Sequence, residues 1–461
     1  MRTKKQLVLA VLAAAGALAM QAAERPVPGA ALKTRLEEGP EVIGIVHFGL
    51  NTYTDREWGF GNEDPRLFSP ARFDADQIVA ACKAGGLGGL VIVAKHHDGF
   101  CLWPTKTTGH NISKSPFRDG NGDYVREMER ACRKAGLKFG VYVSPWDRNS
   151  ADYATEKYVE IFRSQLKELL GGDYGEVFEM WFDGANGGTG WYGGANERRN
   201  IGKDYYRFGE TVAMVRRLQP GITVFGGGND GDFRWPGNER GLLDGDSRAT
   251  IVAPDDPRHR ALLNTGTPDG SCFRACESDF PQRNGWFYHE RERGSTKSAA
   301  YLMKLYLSSV GNAGTMDIGI APNKEGLLDD DDVQSLAGFG AIQREFFAHE
   351  VAPGGKFNVV VMREDISKGE QVDEWEFVAD GKVLFSGKSI GVKRIRVLET
   401  PVAAAECEVR VLKDGGSPGE VSFKRYFADP ELVKIVLSAT TESGETDTAK
   451  WMTASTMRLR D

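Results

Sequence analysis

Cysteine is scarce in this chain: six in 461 residues, at 82, 101, 132, 272, 276 and 407. They are too few and too scattered for a disulfide scaffold, and no CxxC pair supports zinc-ribbon or thioredoxin chemistry. None precedes Cys82, which excludes a lipid-modified cysteine near the start. Excess basic charge is also lacking. Lys and Arg number 58 against 65 Asp and Glu, a formal net charge of −7, and no basic stripe gathers that would suit nucleic acid. Long apolar runs are missing too. The one at 7–19 follows Arg2, Lys4 and Lys5 and precedes small residues at 17–19 and 22–23. It is too short for a spanning helix and has the order of an export signal. The expectation is a signal peptide at 1–23, no membrane anchor, and export to the periplasm or the medium.

What is present is the composition of a soluble globular protein, 41% apolar and 27% charged, with 56 glycines and 10% aromatics. The length calls for a large domain and a smaller one. Apolar strand-like runs at 41–48, 90–94, 138–143, 176–182, 222–225 and 315–320 alternate with helical spacing at 73–84, 124–135, 151–170, 205–218, 298–309 and 331–346. Strand, loop, helix and glycine recur at intervals of roughly 40 to 50 residues, the mark of a parallel sheet. A (β/α)8-like barrel over 24–350 is the reading, with a doubly wound sheet as the alternative. The stretch 230–293 is loop-rich and resists assignment. After Pro353, Gly354 and Gly355, short strand-like runs at 357–362, 375–378, 382–386, 392–398, 407–412, 421–427 and 432–437 predict an all-β sandwich over 351–461.

Both α/β alternatives place function at the carboxyl ends of the strands. Those ends share one character. His47 closes the first, with Glu57 and Trp58 in its loop; His96 and His97 close the second; Tyr142, Ser144 and Trp146 the third; Trp181 and Asp183 the fourth. An Asp ending a strand is commonly the N-cap of the next helix, and a single histidine is commonly a satisfied buried one. Four ends of the same kind suggest one pocket instead. Aromatic faces with imidazoles and carboxylates suit a sugar, whose CH face stacks while its hydroxyls take hydrogen bonds. Glycosidic cleavage needs two carboxyl groups with divided roles. Asp183 is the candidate nucleophile. Its partner must stay protonated, with a pKa raised to ~6 by an apolar setting. Glu239, near Trp235, and Glu277 are both candidates, and spacing does not choose between them.

These residues resemble glycoside hydrolase family 29, the retaining α-L-fucosidases, over roughly 40–345. The likeness rests on His47 to Gly49, Lys95 to Phe100, Gly140 to Asp147 and Trp181 to Gly184. It implies a barrel followed by a β-sandwich, and Asp183 as nucleophile. Segments 144–149 and 234–239 look like the subgroup cutting α-1,3 and α-1,4 branches, which implies Glu239 as acid/base. It further implies that His47, Glu57, Trp58, His96, His97, Tyr142 and Trp181 hold fucose, with Trp286 and Tyr288 near its rim. The substrate would be a fucosylated oligosaccharide or glycoconjugate, without metal or other cofactor. One departure is segment 316–322, where Asp317 and Gly319 change the inner face of the family's usual strand. Two rivals stand beside this reading. One is a metal-dependent hydrolase using His47, His96, His97 and Asp183; against it, adjacent histidines in an extended strand point to opposite sides. The other is a catalytically silent sugar-binding protein.

Overall fold

A computed structural model describes residues 24–440; the expected export signal lies outside the described residues. Eight parallel strands close into a barrel: β1 (Val42–Val46), β2 (Gly89–Lys95), β3 (Lys138–Val143), β4 (Glu179–Trp181), β5 (Thr223–Phe225), β6 (Phe233–Arg234), β7 (Ala275–Pro281) and β8 (Thr315–Ile320). Each lies beside the next in sequence, and β8 returns to β1, pairing Val42 with Met316 through Val46 with Ile320. The doubly wound alternative is thereby excluded. Burial on both faces explains why most of these strands read as unbroken apolar runs. Ile43, Ile45, Val91, Val93 and Tyr142 fill the lumen, while Val42, Val46, Leu90, Ile92 and Val141 pack outward against helices.

Before the barrel, α1 (Ala30–Glu38) lies near β5. Besides the single turn Leu50–Thr54 after β1, six longer helices follow barrel strands: α2 (Ala75–Ala84), α3 (Tyr124–Ala135), α4 (Glu156–Leu170), α5 (Phe208–Leu218), α6 (Ala299–Ser309) and α7 (Asp330–Phe346). Local chemistry sets several ends. The side chains of Asp74, Asp123 and Ser298 accept N–H bonds at the starts of α2, α3 and α6, and Gly136 takes the left-handed conformation that ends α3. Only 3-10 turns, Gly228–Asp230 and His259–Leu262, follow β5 and β6. The long loop after β6 is braced instead by the C-terminal sheets: Ala249 N–H donates to Glu370 Oε2 (2.7 Å), and Arg394 donates to the carbonyls of Gly245 and Ser247 (both 2.7 Å).

Those sheets have three strands each. One is ordered β12–β9–β14 and the other β11–β10–β13, with β9 (Lys356–Glu364), β10 (Val372–Ala379), β11 (Lys382–Gly387), β12 (Arg394–Ala403), β13 (Cys407–Asp414) and β14 (Val421–Tyr426). Phe357, Met362, Trp375 and Phe377 form their shared core. The run 432–437, expected as a strand, belongs to a helix, α8 (Pro430–Ser438). Asp429 caps it through Glu431 N–H, Pro430 opens its first turn, and Leu432, Val433 and Val436 share its buried face. Lys304 of α6 donates to the carbonyl of Ala439 just beyond it (2.9 Å).

Strand β7 was invisible as a strand because its lumen-facing side is acidic. Glu277 and Asp279 point inward, and Asp279 pairs in register with Asp317 of β8. Glu179 from β4 joins them. The buried cation nearest this group is Arg35 of α1, 3.6 Å from Glu179. Both carboxyl oxygens of Asp317 lack a hydrogen-bond partner within the protein. Burial, then Glu277 and Asp279, push its pKa well above the usual range. A group raised in the folded state keeps its proton where the unfolded chain has lost it. Its contribution is present below about pH 4, the unfolded Asp value, and is lost as pH rises. Asp317→Asn removes that loss. The thermal midpoint of the variant relative to wild type should therefore climb between pH 5 and pH 8, and a gap that stays constant would refute the assignment.

Candidate active site

The carboxyl ends of the strands surround a cavity of about 560 Å³, within the range of roughly 300–1,000 Å³ common for small-molecule sites. Ten of the eleven residues singled out in the sequence line it: His47, Glu57, Trp58, His96, His97, Tyr142, Trp181, Asp183, Glu239 and Trp286. Tyr288 does not. It is buried to one side, where its hydroxyl donates to Glu290 and accepts from Arg293, and the Arg283 guanidinium lies over its ring. Glu277, the second acid/base candidate, also misses the cavity. Its carboxylate sits in the lumen, accepting from Trp181 Nε1 and from the Thr315 hydroxyl at 3.1 Å each.

Asp183 follows β4 directly, and no helix starts there for it to cap. Its Oδ1 accepts from Ala185 N–H (2.6 Å). Its Oδ2 accepts from the Tyr142 hydroxyl (2.9 Å) and lies 3.7 Å from His97 Nε2. One carboxylate edge is thus fixed by named donors while the side chain keeps part of its surface open to the cavity. Trp181 stacks on Phe225 with centroids 3.9 Å apart and on Tyr142 at 5.3 Å, giving the cup an aromatic wall.

Strand β2 ends at Lys95, so the alternation that would send His96 and His97 to opposite sides stops just before them. Both rings face the cup, 4.1 Å apart. His97 Nδ1 meets the Ser144 hydroxyl (2.7 Å) and His96 Nδ1 meets Asn51 Nδ2 (3.3 Å). Burial pushes His47 down to about 4 and lowers His96 and His97 too, Asp183 partly opposing this at His97. At neutral pH these are uncharged imidazoles, able to donate or accept a hydrogen bond with a hydroxyl. They do not converge as a metal site. Among the described residues, the group whose donor atoms gather within 4.8 Å is Asp329, Asp331 and Asp332. Arg283 Nη2 lies 2.7 to 3.3 Å from all three.

Glu239 stands at the solvent-exposed rim, not in the apolar setting expected of an acid, and accepts from Trp286 Nε1 (3.2 Å). Trp286 is seated by the departure noted in β8. A Cβ on Gly319 would come within 2.7 Å of its ring, so only glycine leaves room for the indole. Asp279 was not singled out, yet it lines the cavity floor. Burial, then Glu239, raise its pKa well above the usual range, with Glu277 and Asp183 adding to the effect. The spacing of Glu277 and Asp279, two apart on one strand face, was the available signal.

The comparisons agree with this geometry. A family model described as alpha-L-fucosidase matches residues 34–344. The chain belongs to that family. A relative from Oryza sativa subsp. japonica is 36% identical over 350 residues, covering 73% of this chain and 63% of its own length. Alpha-L-fucosidase 1 of Arabidopsis thaliana is 34% identical over 331 residues, covering 70% and 62%. The match thus spans less than two thirds of these curated relatives. A crystal structure of a glycoside hydrolase 29 family member from an unknown rumen bacterium superposes with a TM-score of 0.81 at 36% identity, over 88% of this chain and 78% of that one.

Gly319→Ala should displace the Trp286 indole from Glu239. The expected readouts are a changed near-ultraviolet circular dichroism signal and a loss of turnover of about a hundredfold, the scale of a 1 Å misplacement. A variant with wild-type spectrum and turnover would show that the indole can shift without consequence.

Proposed function

We propose that this chain is a retaining α-L-fucosidase that removes terminal fucose from oligosaccharides or glycoconjugates. The observation that carries the reading is that Asp183 and Glu239, both acids, border one cavity walled by Trp181, Tyr142 and neutral histidines. The names of the plant relative and of the family support the substrate.

In the proposed double displacement, Asp183 Oδ attacks the anomeric carbon while Glu239 gives its proton to the departing glycosidic oxygen. A fucosyl–Asp183 ester and a free alcohol result. Glu239, now ionised, takes a proton from water, whose oxygen attacks the anomeric carbon and releases Asp183. The Tyr142 hydroxyl holds the nucleophile's orientation. His47, His96 and His97 exchange hydrogen bonds with ring hydroxyls, and their lowered basicity keeps positive charge away from an oxocarbenium-like transition state. The exposed position of Glu239 fits an acid that is desolvated only when the leaving sugar covers it. Retention requires the two carboxyl groups to approach to about 5 Å in the reacting complex. Preference for α-1,3 and α-1,4 branches rests on the likeness of segments 144–149 and 234–239, and export on the amino-terminal pattern.

Asp183→Ala should reduce turnover of an aryl α-L-fucoside to background while calorimetric fucose binding persists. Wild-type turnover in that variant would sink the assignment. A panel of α-1,2, α-1,3, α-1,4 and α-1,6 fucosides followed by NMR tests the rest. β-L-Fucose as first product would mean inversion, and fucose binding with no hydrolysis of any member would mean a silent lectin-like protein.

A further inference from the structure

A hydrogen-bonded clasp at the barrel mouth takes no part in the steps above. His289 lies in the loop after β7, with its ring fully buried. Its Nδ1 is 2.5 Å from Asp55 Oδ1 and its Nε2 is 2.6 Å from Glu57 Oε1. Both partners come from the loop after β1, so the clasp reaches across the end of β8. Both ring nitrogens are thus engaged by carboxyl groups. Arg291 holds the other oxygen of Asp55 (2.6 Å). Asp55 itself sits at φ +58°, a left-handed conformation that Asp tolerates better than most residues.

The consequence falls on Glu57. Besides His289, its carboxylate accepts Trp286 N–H at Oε2 (3.0 Å) and Phe287 N–H at Oε1 (3.2 Å). A carboxylate offers about four lone-pair sites. With three engaged, the fourth, on Oε2, is left for a hydroxyl of whatever enters the cavity. The same contacts fix the backbone of Trp286, whose ring rests against Gly319 and whose Nε1 donates to Glu239. Close approach of the two loops depends on Gly285. A Cβ there would lie 2.5 Å from Glu57 Oε1 and 3.0 Å from His289 Cδ2.

We propose that His289 is a positioning residue: gripped by Asp55 and Glu57, it sets the Glu57 carboxylate to receive a sugar hydroxyl and holds Trp286 where its indole orients Glu239. This rests on the reading of Glu239 as acid/base. The two tasks separate kinetically. Loss of orientation at Glu239 matters most for a poor leaving group that needs a proton, whereas loss at Glu57 weakens binding of the fucosyl ring itself.

The test compares wild type, His289→Ala and Gly285→Ala on two substrates. One is a fucosyl disaccharide, whose sugar leaving group requires protonation, and the other an aryl fucoside with an acidic phenol. Circular dichroism and active-site titration count the folded, competent enzyme. His289→Ala should lose about a hundredfold in kcat/KM on the disaccharide and clearly less on the aryl fucoside, with a raised inhibition constant for free fucose. Gly285→Ala, which keeps the imidazole but displaces Glu57, should shift the same quantities in the same direction. Equal losses on both substrates with unchanged fucose inhibition, or losses wholly explained by fewer competent sites, would reduce the clasp to scaffolding and overturn the proposal. An active wild type with indifferent variants overturns it alone, whereas an inactive wild type overturns the fucosidase reading together with it.

Discussion

Closure of eight parallel strands is the constraint from which the site follows. Once β8 pairs with β1, residues at the carboxyl ends of all strands must face one mouth. His47, His96, Tyr142, Asp183 and Trp286 are scattered along the chain, yet they end within one cavity. No single loop builds the cup. Its precision comes from strands whose backbone hydrogen bonds leave little freedom, which is what pre-organised donors require.

The interior beneath the cup is unusual in its charge. Glu179, Glu277, Asp279 and Asp317 are buried in the lumen, and Arg35 is the cation nearest to Glu179 there. Burial raises the pKa of each of the four, and these carboxyl groups stand where a barrel core normally carries an apolar layer. Glu277 of this layer holds Trp181 through its indole N–H. The same loss of hydration keeps the histidines above it neutral. The cup thus sets the carboxyl groups of Asp183, Glu57 and Glu239 among aromatic rings and imidazoles.

The C-terminal sheets have a visible mechanical role. The loop after β6 carries Glu239 and has no α-helix of its own. Arg234 secures it from within, donating to the carbonyls of Leu263 (2.9 Å) and Arg248 (2.6 Å). Arg248 in turn meets Asp373 and the carbonyl of Val372 in the second domain. A loop of that length, with only the two-residue ribbon of 250–251 on 272–273 and a 3-10 turn at His259–Leu262, would otherwise lose much of its order to conformational entropy.

The sequence by itself determined the alternation of parallel strands and helices and most of the cup, because apolar runs, glycine stops and polar strand ends are local signals; closure into a barrel was decided by the pairing of β8 with β1. Most of the strands on the amino-terminal side were legible in this way, as was the group of residues around Asp183. Tertiary structure decided what depended on neighbours. Strand β7 escaped notice because its inward residues are acids, which are tolerated only inside a closed lumen. The run 432–437 has the composition of a strand, but the Asp429–Pro430 start and a docking face on α6 make it a helix. Tyr288 and Glu277 each sit two residues from a cavity-lining position: the loop path turns Tyr288 aside, and Glu277, on the same strand face as Asp279, lies deeper in the lumen against Trp181 and Thr315. Gly319 read as a departure in the sequence and proves to be the space into which Trp286 fits. Contacts such as Asp55 to His289, 234 positions apart, leave no trace in local pattern, since they exist only after the barrel has brought its two loops together.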